Sequence, residues 1–297
     1  MKHYIQLIRP KQWIKNLFLF IPPFFAGKFF VTQEIKSLIY GFFAFCLYSS
    51  SVYIINDYRD IEDDRKHPEK YKRPLASGKA NTRVAIIICV IFLFAGTMIG
   101  FALDRSYKLL FVMVIYFMLN LFYSFGLKNI AILDMLILAS GFVLRVKAGA
   151  IIATVDASEW LIIMTFLLAL FIAIAKRRDD ILLQQVTGTN MRKSVSGYNL
   201  DFLNTLLGLF GAIIIVAYVN YTISPATVQR LGTYRLYYSG LFVIAGIMRY
   251  LQITFVQNKS GSPTEILYKD WFIQCSILLW VASIYTILYL KDVILFK

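Results

Sequence analysis

Residues 56–78 read NDYRDIEDDRKHPEKYKRPLASG, and they follow directly on an apolar run centred on Phe45. About 20 mostly apolar residues suffice to cross a bilayer as a helix. A run of that length ending in a burst of carboxylates sets the question that the rest of the chain must answer. Six of the 17 Asp and Glu residues lie between positions 57 and 69.

Outward from this stretch, further apolar runs with short polar breaks are centred near Ile21, Phe92, Val114, Leu138, Leu167, Ile213, Val243 and Leu279. The chain has 297 residues, of which 59% are hydrophobic and 16% charged. Nine spans of about 20 residues consume most of that length. The expected fold is an all-α integral membrane bundle of nine transmembrane helices, forming a single catalytic domain over residues 1–297.

The first run, Leu17 to Ala26, follows basic residues as a signal peptide does. However, Pro22 and Pro23 interrupt it, no small-residue cleavage site follows, and more spans come after, so it is expected to be a retained helix. Cys46, Cys89 and Cys275 all fall in apolar runs, where a thiol acts as a small hydrophobe. With His3 and His67 as the whole histidine complement, no zinc centre is expected.

Lys and Arg are retained on the cytoplasmic side of a membrane protein. An N-terminus inside places about two thirds of the 31 Lys and Arg on inner segments, so the expected topology is N-inside and C-outside, in the cytoplasmic membrane. This bias also absorbs most of the net charge of +14 and removes the case for a nucleic-acid partner.

Membrane orientation does not call for carboxylates. If the second helix continues through the acidic stretch, about 100° per residue puts Asn56, Asp57, Asp60 and Asp64 on one side of it. Carboxylates crowded at a helix C-terminus repel one another and face an unfavourable dipole, so a cation is needed there. Hard oxygen ligands select Mg2+, which shares its remaining positions with substrate phosphates. Asn56, Asp57, Asp60 and Asp64 are therefore the expected metal ligands of a diphosphate site at the cytoplasmic face. Asp63 falls beside the same arc, which leaves the ligand set open at that position.

Basic residues follow at once, including Lys70 and Arg73, and suit phosphate contacts. Two other inner segments are similar in kind: YSFGLKNIAILD (123–134), with Tyr123, Lys128 and Asp134, and the end of the sixth run, KRRDD (176–180), with Lys176 and Arg177 and with Arg192 beyond. Asp134 and Arg145 lie inside the fifth apolar stretch, where ionisable groups usually face a cavity. The segment IRPKQWIKN (8–16) reads either as an interfacial anchor or as a lipid-phosphate site. Gly96 and Gly100 form a GxxxG, expected to serve close helix packing.

The stretch NDYRDIEDD resembles the first aspartate motif, NDxxDxxxD, of the UbiA-type prenyltransferase superfamily. The resemblance implies a nine-helix membrane enzyme with a central cavity opening to the cytoplasmic side and a magnesium-bound diphosphate donor. Members commonly carry a second motif ending in a paired DxxxD after the sixth helix, where this chain has the basic KRRDD. Together with RPKQWIKN, YSFGLKNIAILD, ASGFVLRVKAGA and AIAKRRDD, this is similar to the decaprenyl-phosphate phosphoribosyltransferase subgroup. That likeness implies phosphoribosyl diphosphate as donor and a polyprenyl phosphate as acceptor. It further implies a catalytic set of Asp57, Asp60, Asp64, Lys128 and Asp134. The implied donor contacts are Arg73, Lys128, Lys176, Arg177 and Arg192, with Lys70, Tyr123 and Arg145 also binding substrate and Lys11, Gln12, Lys15 and Asn16 at the lipid phosphate. The alternatives are an ordinary prenyltransferase moving an isoprenoid chain to another acceptor, and, from a different class, a membrane transporter.

Overall fold

A computed structural model describes residues 2–29, 32–66, 70–187, 193–257, 266 and 269–289. All regular structure among them is helical. The α-helices are α1 (Lys2–Ile8), α2 (Ile21–Phe25), α3 (Thr32–Arg59), α4 (Ile61–Lys66), α5 (Thr82–Leu103), α6 (Lys108–Phe125), α7 (Leu133–Ile152), α8 (Glu159–Thr187), α9 (Leu200–Ile223), α10 (Pro225–Leu231), α11 (Gly240–Phe255) and α12 (Trp271–Tyr289). Two compact units are formed, Met1–Ile162 with Met191–Ser194, and Ile163–Asn190 with Val195–Lys297.

Among the described residues eight helices are long and apolar enough to cross a membrane: α3, α5, α6, α7, α8, α9, α12 and the segment Arg235–Phe255 that ends in α11. Each contains one of the expected centres. The chain is thus an integral membrane protein, with α5 as the plainest case. Ile87, Val90, Ile91 and Phe94 are each more than half exposed, a surface that water would penalise and lipid accepts.

The run centred on Ile21 takes a different form. Residues Pro10–Phe20 make a 3₁₀ helix and Ile21–Phe25 a short α2. Proline lacks the N–H that an α-helix requires, and Pro22 and Pro23 leave only a single turn or so of α geometry around them. Arg9 adopts the left-handed conformation φ 56, ψ 56, and Pro10 after it disfavours the right-handed α region at that position.

In the first unit α3 is the axis, packing on α5, α6, α7 and the 3₁₀ run. Its apolar side chains Phe45, Tyr48 and Val52 join Leu19, Met113, Tyr116 and Ala148 in one core. The GxxxG expectation is met: a Cβ at Gly96 would lie 2.7 Å from the Tyr48 ring and 3.2 Å from the Ala44 carbonyl, and one at Gly100 2.9 Å from the Met113 sulfur. Gly149 on α7 is tighter still. A Cβ there would meet the Leu19 carbonyl oxygen at 1.9 Å, so the 3₁₀ backbone rests directly on α7. Gly149→Ala must push backbone rather than a side chain, and a loss of about 1–3 kcal/mol is expected. A lowered midpoint of thermal unfolding in detergent checks this.

Helix ends are set locally. Asn81 accepts the Arg83 N–H at 2.8 Å to start α5, and Asp104 accepts the Leu109 N–H at 2.8 Å at the start of α6. Gly126, with φ 152, ends α6 in a conformation that a Cβ would oppose. These turns bring the C-terminal ends of α3 and α6 and the start of α7 to one end of the unit. In the second unit α11 packs on α9 and α12. There Arg249 on α11 donates to Asp270 at 2.7 Å, so its charge is neutralised by an ion pair.

Candidate active site

The acidic stretch does not form one unbroken helix. α3 ends at Arg59, Asp60 is a turn and α4 starts at Ile61. The i→i−4 hydrogen bonds nevertheless run on, with Asp60 N to Asn56 O at 3.0 Å and Asp64 N to Asp60 O at 2.7 Å. The expected arc therefore survives: Asp57 and Asp64 are buried and Asn56 and Asp60 half-buried, while Asp63 is exposed.

Each carboxylate meets a cation. Asp57 Oδ1 accepts from Arg9 and, at 3.1 Å, from Arg73; Arg73 also donates to Asp64 Oδ2 at 2.7 Å; and Lys128 donates to Asp60 Oδ1. Asn56 Nδ2 donates to the other oxygen of Asp60 at 3.1 Å, and Ser124 Oγ donates to Asn56 Oδ1 at 3.3 Å. Three carboxylates thus face three cations. Like charges repel and each turns to its nearest counter-charge, so among the described residues no three such side chains converge on one metal-binding point.

The donor set still suits Mg2+. It is made of hard oxygens, and Asp57 Oδ2 is buried without a hydrogen-bond partner. A buried acceptor left without a donor is costly unless something outside the fold supplies the missing charge.

Other expected site residues fall into groups. Arg73 and Lys128 lie in the acidic cluster. Tyr123 is within electrostatic range of Tyr53, whose ring lies under Arg9 at 5.0 Å. Lys70 is half-buried in the 3₁₀ turn Lys70–Lys72, and Asp134 is fully buried in the first turn of α7. In the N-terminal segment Lys11 is exposed, Gln12 and Lys15 are half-buried and Asn16 is fully buried. The amide oxygen of Asn16 accepts from Arg145 Nε at 2.8 Å.

In the second unit Lys176 is exposed, and Arg177 is buried and paired with Asp180. The neighbouring Arg178 is buried too and donates to Asn204 Oδ1 at 2.8 Å, with Phe255 beneath it at 5.5 Å. Arg192 lies outside the described residues.

The sequence reading missed Arg9, Tyr53 and Ser124. The contact of Arg9 with Asp57 spans 48 positions, for which no local spacing gives a sign. Its one sequence signal is the following proline, which disfavours a right-handed helical backbone at Arg9.

The model of the UbiA prenyltransferase family matches residues 20–273. The chain is similar to the decaprenyl-phosphate phosphoribosyltransferase of Mycolicibacterium smegmatis, 32% identical over 295 residues, covering 96% of this chain and 92% of that one. It is similar also to the enzyme of that name from Corynebacterium glutamicum, at 31% identity and covering 96% and 86%. Among solved structures, a UbiA homolog from Archaeoglobus fulgidus bound to GPP and Mg2+ superposes with a TM-score of 0.73 over 96% of this chain and 99% of that one. At 20% identity this likeness shows the fold alone. With helices of matching arrangement and an NDxxDxxxD stretch at the end of α3, the chain belongs to the UbiA prenyltransferase family.

Proposed function

We propose that this chain transfers 5-phosphoribose from phosphoribosyl diphosphate to a polyprenyl phosphate and releases diphosphate. The observation that carries the reading is the acidic cluster, in which Arg9, Arg73 and Lys128 balance Asp57, Asp60 and Asp64 and the Asp57 Oδ2 acceptor is left over. Relatives of nearly full length named decaprenyl-phosphate phosphoribosyltransferase support the choice of donor and acceptor.

Asn56, Asp57, Asp60 and Asp64 would hold Mg2+, which supplies charge neutralisation for the leaving diphosphate. The bond from the anomeric carbon to the diphosphate oxygen breaks, and the electron pair leaves with the diphosphate. A new bond forms from the same carbon to an oxygen of the lipid phosphate. That oxygen is already anionic, so the chain need not supply a strong base. Arg9, Arg73 and Lys128 are placed to take the phosphate oxygens that the donor brings. Lys70, Tyr123 and Asp134 border this end, and Lys176, Arg177 and Arg192 are further proposed contacts of the donor. Lys11, Gln12 and Lys15 serve the lipid phosphate. The proposed orientation is N-inside and C-outside with the site open to the cytoplasmic side, Pro10–Phe25 being the remaining one of nine spans.

The donor decides the matter. Purified protein is expected to release diphosphate from phosphoribosyl diphosphate only when a polyprenyl phosphate and Mg2+ are both present, as read by thin-layer separation of labelled donor. Consumption of a prenyl diphosphate in place of the sugar donor overturns the reading in favour of an ordinary prenyltransferase.

A further inference from the structure

Arg145 lies twelve positions after Leu133 on α7 and is 5% exposed. Its guanidinium stays charged at any relevant pH, so burial without a counter-charge is expensive. Among the described residues no carboxylate pairs with it. Its partners are neutral: Nε donates to Asn16 Oδ1 at 2.8 Å, Nη1 to the Gly141 carbonyl at 2.9 Å and Nη2 to the Tyr116 hydroxyl at 2.8 Å. The rings of Tyr116 and Phe142 lie 4.7 and 5.3 Å from its carbon centre. This contrasts with Arg9 and Arg73, each of which has a carboxylate.

These neutral partners fix the guanidinium in place. Asn16 is itself held, its Nδ2 donating to Ser49 Oγ and Cys46 Sγ at 3.3 Å each, which turns its oxygen toward Arg145. Three of the five guanidinium N–H groups are used and two remain. A second cation stands close by: Lys15 is the residue before Asn16 on the 3₁₀ run, and Asn16 bonds Arg145. The fields of Arg145, Arg9 and Asp57 all reach Tyr53, which ties this group to the acidic cluster. Asp57, Tyr53 and Ser49 are four residues apart in turn on α3, so the Ser49 level lies about 12 Å along the helix from Asp57.

We propose that buried Arg145 and half-buried Lys15 form a receptor for a phosphate monoester, with Asn16 and Tyr116 acting through Arg145 as positioning residues. A dianion matches the surplus of cationic charge, and a guanidinium with two spare N–H groups presents the fork that phosphate oxygens take. The inference rests on the proposed reaction, in which two phosphate monoesters accompany the diphosphate: the 5-phosphate of the sugar donor and the phosphate of the lipid acceptor.

Asn16→Asp tests this, because it keeps the size of the side chain and gives Arg145 an internal counter-ion. The KM for one of the two substrates, donor or lipid phosphate, is expected to rise about tenfold or more with the unfolding midpoint unchanged or raised. Which KM moves identifies the source of the phosphate. Inorganic phosphate or ribose 5-phosphate is expected to raise the unfolding midpoint of the wild type and not that of the variant. Arg145→Lys retains a cation without the fork and is expected to fall between the two. If the wild type turns over while Asn16→Asp keeps both KM values, Arg145 is a structural tie between the 3₁₀ run, α6 and α7, and the receptor is refuted with the reaction intact. If the wild type does not use phosphoribosyl diphosphate, the reaction fails, and the phosphate-induced midpoint shift still judges the receptor: present in the wild type alone it supports the site, and equal in both or absent it overturns it.

Discussion

Purified protein carrying Asp60→Asn together with Asp64→Asn is expected to lose about 10³-fold or more in turnover while remaining folded in detergent. Asn preserves the size of both side chains, so the i→i−4 bonds that carry the chain from Asn56 through Asp60 to Asp64 are undisturbed. What changes is charge. With Asp57, Asp60 and Asp64 set against Arg9, Arg73 and Lys128 the cluster is close to neutral, and two neutralised carboxylates leave it with an excess of about two positive charges. Repulsion of a divalent cation at contact distances in a partly buried site then amounts to several kcal/mol, enough for the expected loss. The cost to folding is smaller, about 1–3 kcal/mol, because Arg73 keeps Asp57 at 3.1 Å and Lys128 is not fully buried. Initial rates across a titration of MgCl2, with circular dichroism and a melting curve, separate the two effects. A wild-type rate from the double variant, or from wild-type protein in excess chelator, would remove the metal from the site.

How much of this was legible in the sequence depends on the range of the interaction. Helices such as α5, centred where the Phe92 run is centred, follow from apolar composition alone, because a helix satisfies its own backbone within a few residues. The Ile21 run is not a continuous α-helix for an equally local reason, its two prolines, whose missing N–H groups leave a 3₁₀ run followed by one short α segment. α8 runs on past its apolar run, through KRRDD, as far as Thr187, a length that hydropathy does not give.

The acidic arc was legible because Asn56, Asp60 and Asp64 are four residues apart on one face. Its counter-charges were only partly so. Arg73 is near in sequence, but Arg9 and Lys128 reach it across 48 and 68 positions, and Asn16 meets Arg145 across 129. Such pairs are set by how α3, α6, α7 and the 3₁₀ run pack, and no period in the sequence encodes that. The position of Arg145 within an apolar stretch announced that it faced something polar. It did not announce that all its partners are neutral.

Lys128→Met is expected to move two quantities in opposite directions. Lys128 sits in the turn Leu127–Asn129 between α6 and α7 and donates to Asp60, so its ammonium occupies an oxygen that the metal site needs. While it does so the cluster carries little net charge, and there is little to draw in a divalent cation by itself. Donor and metal are then expected to bind cooperatively, since the diphosphate gives Lys128, Arg9 and Arg73 new anionic partners and releases the carboxylates; by linkage each must tighten the other by the same factor. Removing the ammonium frees Asp60 and leaves one uncompensated negative charge, so the affinity of the protein alone for Mn2+ or Mg2+ is expected to rise about tenfold. Turnover is expected to fall about 10²-fold or more, because the same ammonium is lost as a partner of the diphosphate as negative charge develops on it. Calorimetric or spin-resonance titration of Mn2+ with and without diphosphate, beside steady-state kinetics, reads both. In the wild type diphosphate should sharpen metal binding, and in the variant that sharpening should shrink. A variant with unchanged metal affinity and an unchanged rate would mean that Lys128 is only a structural partner of Asp60, and a variant in which metal affinity falls would mean that the ammonium does not compete with the metal at all.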